Sequence, residues 1–334
     1  MNEKALQILG QYNIKLLRSF GGRGAVMLET EQGLKILKEF AGSKTKLPYE
    51  QMLLARLEEE GVCKVDRAIP NISGELLSTG EYDTTWIIKN WSIGKECDTH
   101  SEDDLLKSME ILARLHKSAR NIWQMENEET TKRLMGCDRR NELEKHNREL
   151  KRVQNFIRNK RKKGSFELLF LKYVQEIMEE SLYAQQRLEN SGYEELLQKA
   201  KMQGHICHGE YIHHNIFLNR QETAVVNFGR CEINLQINDL CLFLRKIMEK
   251  QNWNEALAGR MLEAYEKERP LSGEEHLYLA VSLYYPEKVW KLAHHYYNAN
   301  KAWIPEKNTE KLEVFLNQES QRKQMIKNLL QFAP

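Results

Sequence analysis

A change in the spacing of apolar residues near position 91 constrains the fold of this 334-residue chain more than any other feature. Before this point, short alternating segments separated by glycines predict β-strands. After it, apolar residues recur every three or four positions, which predicts helices. We therefore expect a β-rich lobe at residues 1–90 and a mainly helical lobe at residues 91–334.

The first lobe is predicted to hold five strands, with one helix after the third. The strands are expected at residues 14–19, 25–30, 34–40, 75–78 and 84–88. Pro48 opens the helix and Gly61 ends it. This order of elements, followed by a large helical lobe, is typical of kinase-like proteins. The predicted fold class is α+β: a two-lobed protein-kinase-like fold whose small lobe has a five-stranded antiparallel sheet.

Composition favours a globular protein with no strong attraction to nucleic acid or membranes. Hydrophobic residues make up 41% of the chain, charged residues 29%, and the formal net charge is +2. No segment approaches the roughly 20 apolar residues of a membrane helix. Residues 1–6 lack the pattern of a signal peptide, so we expect synthesis in the cytoplasm. The six cysteines include no Cys-x-x-Cys pair, which predicts reduced and mostly buried thiols.

The segment from His208 to Asn215 is the most informative for chemistry. An apolar run leads into it, and Asn215 follows the carboxylate of Glu210 by five residues. In phosphotransferases a carboxylate at this position orients the acceptor hydroxyl, and the asparagine binds Mg²⁺. We therefore predict His208 and Glu210 as catalytic residues and Asn215 as a metal ligand. A plain hairpin capped by histidines is the alternative.

The next apolar run leads to Asn227, which stands where such enzymes carry a metal-binding aspartate. Asn227 is therefore the second candidate Mg²⁺ ligand, and a weak one because its amide is neutral. Asp239 opens the following helix and is expected to brace the catalytic loop. We expect the catalytic-loop equivalent to span residues 203–230.

Two features of the first lobe could bind nucleotide phosphates. Gly21, Gly22 and Gly24 would let backbone N–H groups approach a phosphate closely, although an ordinary hairpin turn has the same composition. Lys38 on the third strand could reach the phosphates, with Glu50 on the next helix as its ion-pair partner.

Several alternatives compete with these assignments. Lys35 could replace Lys38, and solvated surface roles are common for lysine and glutamate. A zinc site is an alternative use of the loop, although the spacing matches no standard finger. Its ligands would come from His205, Cys207, His208, His213 and His214. The basic run 158–163 could bind an anion, but a solvated helix end explains it more simply. His116 is expected in the core.

Taken in order, these motifs resemble the CotS family of spore coat proteins of endospore-forming bacteria. That family lies within the aminoglycoside phosphotransferase and choline kinase superfamily. The resemblance covers nearly the whole chain and is carried by Lys38 with Glu50, residues 91–97, residues 112–116, His208-Gly209-Glu210 with Asn215, residues 227–230, Asp239-Leu240, and Tyr285-Pro286 with Trp290. It implies ATP and Mg²⁺ as cofactors, a location in the spore coat and other coat proteins as partners. A small-molecule acceptor is not identified, and we expect neither nucleic acid nor membrane as a partner.

Two departures from the family pattern bear on activity, because the family has aspartate at the positions of Glu210 and Asn227. The longer side chain of Glu210 moves the carboxylate outward, and a shift of about 1 Å can cost on the order of a hundredfold in rate. The neutral Asn227 loses a charge next to Mg²⁺. We predict a retained fold with weak or no phosphotransferase activity, that is, a pseudokinase. The alternative is an active, atypical phosphotransferase for a small-molecule hydroxyl, with Glu210 as the base.

Overall fold

The structure is a computed structural model that describes residues 7–22, 24–92, 94–123, 128–219, 222–298 and 306–332. Residues 1–6, on which the expectation about a signal peptide rests, lie outside this part of the chain, as do Arg23 of the glycine-rich turn and Ile93 of one family motif. The chain divides into two compact units. The first comprises residues 1–135 and 203–233, and the second comprises residues 136–202 and 234–334. The sequence-based division at residue 90 stays a prediction.

The first unit is built on the predicted five-stranded antiparallel sheet, in the order β1-β2-β3-β6-β5. A second sheet has the order β4-β10-β9-β7, and β8 pairs with β11. The strands are, in chain order, β1 (Leu16–Gly22), β2 (Ala25–Thr30), β3 (Gly33–Glu39), β4 (Lys64–Val65), β5 (Ser78–Thr79), β6 (Thr85–Asn90), β7 (Lys95–Glu96), β8 (Ile206–Cys207), β9 (Ile216–Leu218), β10 (Thr223–Val225) and β11 (Glu232–Ile233).

The two faces of the five-stranded sheet differ in character because side chains alternate along each strand. Leu28, Leu37 and Ile88 on one face pack with Ile8 and Tyr12 into a buried apolar cluster. The opposite face carries Lys38 on β3. Because of this alternation, only charged side chains on the same face of the sheet can contact one another.

The helices of the first unit are α1 (Leu47–Glu59), α2 (Glu102–Ser118) and α3 (Glu128–Leu134). α1 begins at Leu47, one residue before the predicted Pro48, and ends before Gly61, as predicted; Gly61 has the positive φ of 64° common after a helix. His116 on α2 is fully buried, as predicted. Glu50 is buried on the same face of α1 as Leu53, Leu54 and Leu57, so an ionisable group lies among apolar ones.

The second unit is helical and holds its own core. Its helices are α4 (Arg139–Asn159), α5 (Ser165–Glu189), α6 (Tyr193–Met202), α7 (Ile237–Met248), α8 (Glu255–Glu268), α9 (Gly273–Tyr284), α10 (Glu287–Asn298), α11 (Glu306–Asn317) and α12 (Glu319–Leu330). A cluster that includes Leu150, Phe170 and Leu312 joins α4, α5 and α11. Within the ranges that the structure describes, no helix is both long and apolar enough to cross a membrane.

The basic run 158–163 lies at the end of α4, as its pattern predicts. Lys160 forms an ion pair with Glu167, and Lys163 donates a hydrogen bond to the Lys160 carbonyl at 2.6 Å. All six cysteines are free thiols, and all but Cys137 are buried.

Candidate functional site

The loop that begins at His208 is held by a glycine that no other residue could replace without a shift. Gly209 has φ of 81°, and a Cβ added there would lie 2.2 Å from the carbonyl oxygen of Arg230. The loop therefore packs directly on the backbone of the turn that follows Asn227. This contact brings the two sequence motifs, 208–215 and 227–230, together.

His208 joins the same two segments. Its Nδ1 accepts a hydrogen bond from the Glu210 N–H at 3.1 Å, so the ring hydrogen is on Nε2, 3.1 Å from the carbonyl oxygen of Val226. The ring is fully buried, 4.3 Å from the ring of Phe228 between centroids. Both nitrogens are thus bound to backbone groups. This geometry suits a residue that holds the loop, and the catalytic role of His208 stays a prediction.

Lys38, Asn227 and Asn215 form one chain of hydrogen bonds. Lys38 Nζ lies 3.3 Å from Asn227 Oδ1, Asn227 Nδ2 lies 2.8 Å from Asn215 Oδ1, and Asn215 Nδ2 lies 2.9 Å from the Glu210 carbonyl oxygen. An ammonium can only donate and a backbone carbonyl can only accept, so the two ends fix the orientation of both amides. Asn227 has φ of 67°, a left-handed conformation that asparagine adopts more readily than most residues.

These hydrogen bonds bring both predicted metal ligands together, but the side-chain oxygen of each ligand already accepts one of the bonds. Asn215 Oδ1 accepts from Asn227, and Asn227 Oδ1 accepts from the positively charged Lys38. Mg²⁺ is usually bound through one or two carboxylates and demands near-ideal geometry. A pair of neutral amides bonded to each other and to an ammonium does not fit Mg²⁺. Across the described ranges, moreover, no group of three or more His, Cys, Asp or Glu residues is placed to hold a metal ion.

The zinc alternative gains no support from the positions of the histidines. His208 is bound to the backbone through both ring nitrogens, while His214 Nδ1 lies 2.6 Å from a carboxylate oxygen of Glu96. The backbone of Cys207 pairs with that of Glu232 in the short ladder between β8 and β11.

Glu210, the predicted base, is the accessible carboxylate of this loop. Its side chain is 37% exposed, and Oε2 lies 3.7 Å from Nε of Arg230, which is 72% exposed. Such an exposed ion pair contributes little to stability. It leaves Glu210 free to turn toward solvent.

The prediction that Lys38 forms an ion pair with Glu50 is wrong. Glu50 Oε1 instead lies 2.6 Å from Nζ of Lys89, which also donates to Asp66 Oδ2 at 3.1 Å. These three charged side chains are buried, with 5%, 3% and 0% of Glu50, Lys89 and Asp66 exposed. We call them the Lys89 triad.

The strand register explains why Lys89 competes with Lys38. Lys38 pairs with Ile87 across β3 and β6, and Lys89 lies two residues beyond Ile87. Both lysines therefore point from the same face of the sheet. Lys35 is three residues from Lys38 and points from the other face, where it donates to the Gln32 carbonyl at 2.9 Å and to Asn90 Oδ1 at 2.8 Å.

The surroundings of the two lysines shift their pKa values in opposite directions. Burial disfavours the charged form of Lys89, but the carboxylates of Asp66 and Glu50 outweigh it and raise the pKa of Lys89. Burial, together with the positive charge of Lys89, lowers the pKa of Lys38, against the opposing effect of Asp66 and Glu50. Sequence reasoning missed Lys89 and Asp66 as the partners of Glu50, because only the strand register and the fold bring these side chains together.

The glycine-rich turn is a continuation of the β1–β2 hairpin. Gly21 and Gly22 pair with Val26 and Ala25 in the strand ladder, and Gly24 has φ of 67°. A role for these glycines at a phosphate stays a prediction. So does the bracing role of Asp239, which is 1% exposed in the first turn of α7.

Similar solved structures show the fold. An aminoglycoside phosphotransferase from Alicyclobacillus acidocaldarius subsp. acidocaldarius DSM 446 matches with a TM-score of 0.85 and 17% identity, over 98% of this chain and 95% of that one. Spectinomycin phosphotransferase APH(9)-Ia, in complex with ADP and spectinomycin, matches with a TM-score of 0.60 and 12% identity, over 96% and 98% of the two chains. This is a kinase-like phosphotransferase fold, as predicted.

Sequence comparison gives the family. A model of the family described as "Spore coat putative kinase YutH" matches residues 5–329. Spore coat protein S of Bacillus subtilis (strain 168) is 21% identical over 324 residues, which cover 95% of this chain and 90% of that protein. The chain belongs to this family of spore coat kinase-like proteins, which confirms the resemblance inferred from the motifs.

Proposed function

We propose that this protein is a spore-coat-associated, kinase-like component whose phosphoryl transfer is weak or absent. The single observation that carries the proposal is the hydrogen bond from Asn227 Nδ2 to Asn215 Oδ1, 2.8 Å long. The two side chains that should hold a metal ion hold each other. Family membership supports the assignment to the spore coat.

A metal-dependent kinase needs metal ligands at these two positions. Phosphoryl transfer relies on metal ions that neutralise the charge developing on the phosphate oxygens. An aspartate at position 227 would place a second acceptor opposite Asn215 Oδ1, and a cation would then relieve their repulsion. The amide of Asn227 supplies a hydrogen in place of that cation.

The second departure acts on the acceptor side. Glu210 carries its carboxylate one methylene farther from the backbone than aspartate would, and Arg230 lies 3.7 Å away. Both changes concern the same reaction centre, so their effects on rate need not be additive.

Cofactors and partners follow as part of the same proposal. The ADP in the spectinomycin phosphotransferase structure supports a nucleotide as the class of ligand for this fold. For this chain we propose a nucleotide-type ligand at Lys38, a location in the spore coat, and other coat proteins as partners.

The test is a search for turnover. Purified protein is incubated with labelled ATP, Mg²⁺ and a panel of aminoglycosides and amino alcohols. We expect no phosphorylated product above the level of the Lys38→Ala variant. A product formed by the wild type and abolished by Lys38→Ala would overturn the proposal.

An active, atypical phosphotransferase is the second candidate, favoured by the accessible carboxylate of Glu210 and by the presence of Lys38 at the Asn227 amide. In that case Glu210 would accept the proton of the acceptor hydroxyl. This candidate requires that Mg²⁺-ATP bind and raise the melting temperature, so an absent thermal shift with Mg²⁺-ATP would end it.

A further inference from the structure

Among the residues that the structure describes, the Lys89 triad leaves Lys38 with no carboxylate in direct ion-pair contact. Within the part of the chain that the structure describes, Lys38 makes one side-chain hydrogen bond, to the neutral Asn227 Oδ1 at 3.3 Å. An ammonium has three hydrogens to donate, so two remain for an incoming ligand. Glu50, which could compete for them, is bound to Lys89 at 2.6 Å.

The side chain at position 227 decides whether the surroundings of Lys38 favour an anion or a cation. On this side of the sheet the two lysines, Lys38 and Lys89, are balanced by Glu50 and Asp66. A carboxylate at position 227 would add one negative charge beside the phosphate, and metal ions offset such charge in metal-dependent kinases. With Asn227 there, a phosphate oxygen meets the ammonium of Lys38 and no opposing carboxylate at that position.

We propose that Lys38 binds a polyphosphate anion, such as the phosphates of a nucleoside di- or triphosphate, without a divalent cation, and that Lys89 is the positioning residue that keeps Lys38 available by holding Glu50. This inference rests on the proposed function, because a working Mg²⁺-dependent kinase would need a carboxylate at position 227, where this protein has a neutral amide. It adds the ligand class and the residue that controls access to it.

Isothermal titration calorimetry on the full chain tests the ligand class. ATP and inorganic tripolyphosphate are titrated in EDTA and again in excess Mg²⁺. We expect binding in EDTA and weaker binding in Mg²⁺, because the metal ion lowers the negative charge of the ligand. Binding of both probes would show that the phosphate chain suffices, and binding of ATP alone would show that the nucleoside is also needed; either supports the proposal.

Substitutions assign the binding to Lys38. Lys38→Met should weaken binding in EDTA by about tenfold or more, the effect of losing a hydrogen bond to a charged group. Lys35→Met is the matched control, since Lys35 is also buried and hydrogen-bonded on β3 but points from the other face. It should leave the affinity unchanged.

The positioning role of Lys89 has a test that a merely structural role would fail. The charge-neutral pair Lys89→Met with Asp66→Asn frees Glu50 to turn to Lys38, and should lower the affinity in EDTA. Adding Glu50→Gln to that pair should restore the affinity, because the competing carboxylate is then gone. Melting temperatures confirm that each variant is folded.

Three results would overturn the inference: no binding of either probe in EDTA, binding that requires Mg²⁺, or an affinity that Lys38→Met leaves unchanged. If the triple variant stays as weak as the double variant, the role of Lys89 is refuted on its own. The proposed function fails differently, through a Lys38-dependent phosphorylated product. A protein with neither turnover nor metal-free binding would therefore reject this inference and leave the proposed function standing.

Discussion

Asn227 donates a hydrogen bond from Nδ2 to Oδ1 of Asn215 across 2.8 Å, in the place where a kinase-like phosphotransferase would share a metal ion between two side-chain oxygens. The same amide accepts from Lys38, so a single neutral side chain joins the lysine of β3 to the loop that ends at Asn215. The centre is thus complete as a hydrogen-bonded unit without a cation.

Gly209→Ala should destabilise the first unit, because the new Cβ would lie 2.2 Å from the Arg230 carbonyl oxygen and φ is 81°. We expect a loss of about 2 kcal/mol or more in the free energy of unfolding, measured with urea. Gly229→Ala is the matched control from the adjoining turn, where a Cβ meets nothing within 4 Å. Equal stability of the two variants would contradict the close packing of the loop on this turn.

Lys89→Met should cost about 3–5 kcal/mol of unfolding free energy, because it leaves the carboxylates of Glu50 and Asp66 buried without their cation. Asp66→Asn in the same chain removes one of these charges, so the double variant should recover part of the loss. Chemical denaturation of the two variants checks this order. A single variant as stable as the wild type would mean that the Lys89 triad does not form.

His146 should make the second unit sensitive to acid. The imidazole is buried and stacked on Trp290, and burial lowers the pKa of His146 to about 4. The folded state therefore takes up this proton less readily than the unfolded chain, whose histidine titrates near 6.5. The contribution of neutral His146 to stability is therefore complete above pH 6.5 and is lost as the pH falls toward 4. This loss lowers the free energy of unfolding by about 2–3 kcal/mol.

Urea unfolding at pH 7 and pH 4 of the wild type and of His146→Gln measures this contribution. The variant cannot take up the proton in either state, so its stability should fall less between the two pH values. Parallel losses in both proteins would show that other groups cause the acid sensitivity.

The order of elements was predictable from sequence because alternation and helical periodicity report which side chains are buried. The five-stranded sheet and the helix between Pro48 and Gly61 followed from this pattern. The limits of β1 did not, since Gly21 and Gly22 have no side chains to show that the ladder continues through them.

The site was predictable only in part. Motif spacing brought His208, Glu210, Asn215 and Asn227 into one segment, where hydrogen bonds connect Asn227, Asn215 and the Glu210 carbonyl; the catalytic and metal-binding roles stay predictions. The partner of Glu50 was missed because the choice between Lys38 and Lys89 depends on the register of β6 against β3. Asp66 lies in a short connection without periodicity, and only the fold brings it to Lys89.

We infer that Asn227 has replaced the metal ion at this centre, and the decisive measurement is the affinity for ATP of the wild type and of Asn227→Asp, each with and without Mg²⁺. In the variant the hydrogen bond from position 227 to Asn215 Oδ1 is lost. The new carboxylate and Asn215 Oδ1 then face each other as two acceptors, an arrangement that favours a bound cation. We predict that Mg²⁺ tightens ATP binding to Asn227→Asp by at least about tenfold, or 1.4 kcal/mol, and does not tighten binding to the wild type. A wild type that already gains affinity with Mg²⁺, or a variant that gains none, would contradict the account.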